Sequence, residues 1–227
     1  MGKAVIQAWE TAKTLLSRAF LFIKIFEMER KNMSVYKNEL NDLRATLNQY
    51  ALLSSNFEEE MTQAQKNYTE SAFQQFTAER KEQLRENQNS YAQAITDKCD
   101  KLIAKIKRYW EPKAALYQKD VVDMLESPYF TFSLDTLNRM ATENYADNPT
   151  MLQVLHNYAK KNQLFTGVEG AASPLHRADG GAKVKCAEDM KKMMITAIQS
   201  PNQATIRTMA AKFDEVFRPS LDEIGEI

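Results

Sequence analysis

Between Lys3 and Glu111 the chain has neither a glycine nor a proline, an uninterrupted run of 109 residues. All six prolines and five of the six glycines lie at or after Pro112. Gly and Pro are the strongest punctuators of local structure, so a run this long without either restricts the first half to very few conformations. The same run is rich in Ala, Leu, Glu, Lys, Gln and Arg, all strong helix formers. It reads as one or two very long helices, or a few joined by tight turns. One straight helix of that length would extend about 160 Å at about 1.5 Å per residue. It could not bury itself against the remaining 116 residues, so it must fold back or meet a partner.

The apolar spacing supports this reading. Val5, Ala12, Ala19, Phe26, Met33, Leu40 and Leu47 recur every seven residues. Trp9, Leu16 and Ile23 flank the first part at the same spacing, and Tyr36, Leu43 and Tyr50 flank the second on the other side of the seam, the flank switching where charge intervenes at Glu27 to Lys31. A heptad pattern of this length predicts a coiled-coil-like seam from Val5 to Tyr50. From Tyr50 the spacing becomes 3-4-4 through Leu53, Phe57, Met61, Ala64, Tyr68 and Ala72, which favours straighter packing. Ser55 followed by Glu58 has the form of a capping box, so a helix break is expected near 54–56 as one alternative to a continuous helix. A chain folded back there would bury the same stripes within itself.

After Pro112 short helical patterns alternate with clear stops. Pro112 opens a helix ending near Glu126. Pro128 to Phe132 is apolar and β-friendly but has no evident pairing partner. Ser133 is placed to cap a helix to about Ala146. Asn148-Pro149 is a cap followed by proline at the first helical position, opening a helix to about Leu164. Residues 166–183 read as a flexible loop. Two further helices are expected, about Val184 to Gln199 and Asn202 to Phe217. The expected fold is therefore all-α: long amphipathic helices over residues 1–111, then a small helical domain over 112–227.

Composition limits the function classes. Lys+Arg and Asp+Glu both number 30, for a formal net charge of zero. No long-range field draws the chain to nucleic acid or to an anionic membrane. Lys98, Lys101, Lys105 and Arg108 share one helical face beside Tyr109 and Trp110, a local stripe that could track phosphates. Asp97, Asp100 and Glu111 dilute it. Cys99 and Cys186 form no CxxC and no zinc pattern with His156 or His176, so two free thiols are expected. Gly180-Gly181 is not a phosphate loop. Met190, Met193, Met194 and Ile198 make an adaptable apolar face. No nucleophile–base pair, metal set or cofactor motif is present, and the chain is read as a non-enzyme with no cofactor.

Ala19 to Phe26 is too short to span a bilayer, and Glu10, Lys13 and Arg18 interrupt its extension. It reads as a seam for protein, although a membrane-surface role for Trp9 to Phe26 remains an alternative. With no evident signal peptide, a cytoplasmic location is expected, in a cell or an infected host, or in an assembled particle. The favoured reading is a self-associating structural or assembly protein that contacts other components. The layout is similar in outline to scaffold, core or accessory proteins of phage particles. The alternatives are a monomeric protein-binding regulator or inhibitor, and a nucleic-acid or membrane-surface binder.

Overall fold

A computed structural model describes residues 36–200 and 202–217. Among these the elements are helices and turns, without a strand. Two long helices come first: α1, Lys37–Asn67, and α2, Glu70–Trp110. Shorter ones follow: α3, Lys119–Glu126; α4, Leu134–Arg139, continued by a wide turn at Met140–Asn144; and α5, Pro149–Lys161. The chain then forms α6, Gly167–Ala172; α7, Gly180–Gln199; α8, Gln203–Ala211; and α9, Phe213–Val216. The all-α expectation holds. The apolar stretch Pro128 to Phe132 is irregular rather than a strand.

α1 and α2 form an antiparallel hairpin whose register can be followed from root to tip. The Tyr36 and Tyr109 rings meet edge-on at 6.4 Å. Lys105 pairs with Glu39 at 2.7 Å, and Lys98 Nζ donates to Thr46 Oγ1 at 2.8 Å. The Tyr50 and Tyr91 rings lie 5.3 Å apart, Arg80 pairs with Glu60 at 2.8 Å, and Tyr68 meets Phe76 at 5.4 Å.

The turn is at Tyr68-Thr69, not at 54–56. Ser54 lies buried inside a continuous helix, and Glu58 pairs with Arg207 at 2.9 Å instead of closing a capping box. A break at 54–56 would have removed Leu53, Phe57 and Met61 from their places opposite α2. The actual turn carries weaker punctuation. Asn67 and Thr69 are poor helix formers, and Glu70 suits the positive end of the new helix.

The core crosses the expected boundary at 111/112. Leu40, Leu43 and Leu47 of α1, Ile95, Leu102 and Ile106 of α2, and Met190, Met194 and Ile198 of α7 belong to one contiguous cluster with Leu152, Leu155 and Phe213. α7 lies along α2, and α8 lies across α1. The close approach of α7 depends on Gly180: a Cβ there would stand 2.6 Å from Trp110 Cβ. At the far end of α7 the Ile198 carbonyl accepts from both Tyr50 Oη and Gln88 Nε2, each at 3.2 Å.

Residues 166–183 are ordered into two short helical segments and the start of α7, not a flexible loop. Leu175 and Ala178 are fully buried, and Ser173 Oγ donates to Asn138 Oδ1 at 2.7 Å. Asp179 caps α7, accepting from the Gly181 and Ala182 amides. Burial and capping outweigh the glycine content. The Ser133 and Asn148 caps form as the sequence indicates, accepting from the Thr136 and Met151 amides. The first expected helix after Pro112 is instead a single turn, Ala114–Leu116, followed by α3.

Leu43→Ala or Leu102→Ala should each cost about 2–5 kcal/mol, because both side chains are wholly buried. Gly180→Ala should cost about 1–3 kcal/mol through collision with Trp110. Leu52→Ala, at a side chain 65% exposed, should stay within about 0.5 kcal/mol of the parent. Urea midpoints of the four proteins check this ordering.

Candidate functional site

The expected oligomer seam divides at Tyr36. Val5, Trp9, Ala12, Leu16, Ala19, Ile23, Phe26 and Met33 lie outside the described residues. Tyr36, Leu40, Leu43, Leu47 and Tyr50 are buried within the chain, each 2% exposed or less. Folding back has used this half of the stripe, so it is not open to a second molecule. From Tyr36 to Tyr50 the stripe is covered within the chain by α2, α7 and α8.

The matching stripe on α2 lies among its basic residues. Ala92, Ile95, Cys99, Leu102 and Ile106 follow 3-4-3-4 spacing and are all buried. They alternate with the basic residues that draw attention first. That stripe ends at Trp110, where α2 stops opposite Tyr36.

The basic residues 98–108 do not form a free phosphate track. Lys98 reaches Thr46 and the Asp42 carbonyl, and Lys105 is paired with Glu39. Only Lys101 and Arg108 of the four are exposed. Trp110 is buried and Tyr109 half-buried, so neither offers an open ring face for base stacking. On the neighbouring surface, Asp100 is paired with Lys191 at 2.7 Å.

The outer face of the hairpin carries a groove instead. It holds about 430 Å³ and is floored by Leu52, Leu53 and Phe57 of α1 and Leu84 and Tyr91 of α2. Gln49, Asn56, Gln83 and Asn87 supply amide rims, and the Glu60–Arg80 pair stands at one end. Arg80 also lies over the Phe76 ring, 5.5 Å from its centroid. Beyond Glu58, where Arg207 of α8 attaches, the described hairpin has only its own two helices to pack together. Phe57, Met61, Phe73, Phe76 and Leu84 are accordingly half-buried there, and Tyr68 is exposed. Of these, Phe57, Met61 and Tyr68 are legible as the 3-4-4 stripe after Tyr50. Their incomplete burial is not.

Met190, Met194 and Ile198 face the core, while Met193 is exposed beside Met209, Val216 and Phe217. Neither cysteine forms a disulfide among the described residues. Cys99 is fully buried, and loss of solvation pushes its thiol up to about 12. That is the opposite of the lowered value a nucleophilic cysteine needs. Burial likewise raises the Tyr36, Tyr50 and Tyr109 phenols. His156 is buried in the fold and His176 is exposed. Among the described residues no cluster of three or more His, Cys, Asp or Glu side chains could hold a metal ion. No described helix is long and apolar enough to cross a membrane. No family model, curated protein or solved structure matches this chain.

The raised acids make stability fall at alkaline pH. The unfolded Cys99 thiol ionises near 9, whereas the folded one holds its proton to about 12. The unfolded state therefore releases protons first as pH rises, and folding loses free energy through that window. The urea midpoint should be level up to about pH 9 and then decline. A midpoint that rises above pH 9 would contradict the burial of these groups.

Proposed function

We propose that the chain is a non-catalytic assembly protein that self-associates through the apolar stripe Val5 to Phe26. One observation carries the reading. Val5, Ala12, Ala19 and Phe26 are in phase with the buried Leu40 and Leu47 of α1, and α2 ends at Trp110, level with Tyr36. Over Leu40 to Tyr50 the same seven-residue repeat is covered by helices of the same chain. On the other side of Tyr36 the Leu40–Leu47 row recurs through Phe26, Ala19, Ala12 and Val5, with Ile23, Leu16 and Trp9 on the flank opposite that of Tyr36, Leu43 and Tyr50, and the described α2 has no further length to set against it. A second copy supplies a stripe of identical composition, and an isologous pairing closes without leaving an unmatched surface. The zero net charge sets no long-range repulsion between copies.

In this role the remaining helices present surfaces to other components of an assembly, such as a virus particle. The protein works in the cytoplasm or within that particle. Two of the four basic side chains, Lys98 and Lys105, are engaged within the hairpin, which weighs against a nucleic-acid role.

The hairpin groove favours a second reading, a monomeric regulator that receives an amphipathic helix of another protein. Exposed Leu52 beside half-buried Leu53, Phe57 and Leu84 along the groove suits such a helix.

Light-scattering mass on a sizing column separates the two. Full-length protein should be a defined oligomer. A chain beginning at Lys31, and a full-length Ile23→Asp plus Phe26→Asp variant, should both be monomers with unchanged helicity. A full-length protein that remains monomeric at every concentration sinks self-assembly and leaves the groove as the contact surface.

A further inference from the structure

The two histidines of the chain, twenty residues apart in sequence, line one cavity of about 340 Å³. Its walls come from the end of α5 (His156, Lys160), the connection that follows (Phe165), and the entry to α7 (His176, Asp179). The Phe165 ring stands between the imidazoles, 5.2 Å from His156 and 4.9 Å from His176. Its backbone is packed against Gly170, where a Cβ would lie 2.4 Å from the Phe165 carbonyl carbon.

The polar groups have a definite sense. His156 is 4% exposed, and its Nδ1 lies 3.0 Å from the Leu175 carbonyl oxygen. A carbonyl only accepts, so Nδ1 carries a proton, and when the ring is neutral Nε2 holds a lone pair. Nε2 has no hydrogen-bond partner in the protein. Asp179 Oδ2 lies 3.6 Å from it, beyond hydrogen-bond range and itself an acceptor. Asp179 Oδ1 is occupied by the Gly181 and Ala182 amides, which holds the carboxylate in place. Two acceptors therefore stand side by side, one of them anionic, with no donor between them. A buried acceptor without a donor is costly.

We propose that this cavity binds a primary ammonium group on an apolar stem. The ammonium donates to Asp179 Oδ2 and His156 Nε2 together, since two acceptors 3.6 Å apart fall within reach of one –NH₃⁺ group. The carboxylate selects the positive charge, and the Phe165 ring receives the stem. A hydroxyl could bridge the same acceptors but brings no charge to set against Asp179. A metal ion would find only two first-rank ligands here, one histidine and one carboxylate, with His176 across the Phe165 ring. The ammonium can belong to a free amine or to a lysine side chain of a partner protein.

The test uses full-length protein with benzylamine and with Nα-acetyl-lysine amide as probes, read by NMR. Saturable shifts of the His156 ring nitrogens and the Phe165 and Ala182 signals at millimolar probe are expected. Benzyl alcohol should bind more weakly. Asp179→Asn keeps a capping side chain at the start of α7 and should weaken the amine about tenfold or more. Tighter binding of the lysine derivative would assign the site to a protein partner, and tighter binding of benzylamine to a free amine. Three results overturn the proposal: no saturable shift, equal affinity in Asp179→Asn, or nitrogen shifts showing His156 already protonated at neutral pH and donating to Asp179.

Discussion

The packing of α7 along the hairpin is the contact on which the rest of the structure depends. Without it α1 and α2 would be two long helices sharing one narrow seam, which is marginal in water. Met190, Met194 and Ile198 fill the space between Leu40–Tyr50 and Ile95–Ile106, and the three helices then bury a common core. The contact is fixed at both ends. Gly180 lets the start of α7 touch Trp110, and the Ile198 carbonyl receives Tyr50 and Gln88 at the other end. The small helices α3 to α6 attach to this frame through α5, whose Leu152 and Leu155 join the same core.

This arrangement explains why the hairpin differs along its length. Toward the root, α7 and α8 complete the burial of every third or fourth residue. Toward the tip no third element is present among the described residues, and Phe57, Phe73 and Phe76 stay half-exposed. The same reasoning marks the other end of the α1 stripe. The repeat that Leu40 and Leu47 continue extends back to Val5 in the sequence, past the point where α2 stops. Among the described residues, the apolar stripe toward the hairpin tip is longer than the elements that cover it.

The all-α class, the first-half helices and the Ser133 and Asn148 caps were legible because each rests on a local rule. Glycine and proline placement, seven-residue spacing and capping chemistry act over a few residues. What stayed hidden was long-range. Leu40 to Tyr50 carry the same pattern whether their cover comes from a second molecule or from α2 and α7, and periodicity cannot tell these apart. The Lys98 to Arg108 stripe looked open because Glu39 and Thr46 are more than fifty residues away. Residues 166–183 looked mobile from their glycines, yet Leu175 and Ala178 anchor them. The His156–Asp179 juxtaposition is of the same kind, made by the return of the chain from α5 to α7.

Native-state hydrogen exchange across increasing urea tests the central claim, that one core spans both halves of the chain. Amides of Leu40–Tyr50, Ile95–Ile106 and Met190–Ile198 should open together with a single free energy and a single urea dependence. The helix turns on either side of Tyr68 should open earlier. If residues 37–110 and 112–217 instead open as two independent units, each with its own urea dependence, the shared core is contradicted, and the account built on it fails.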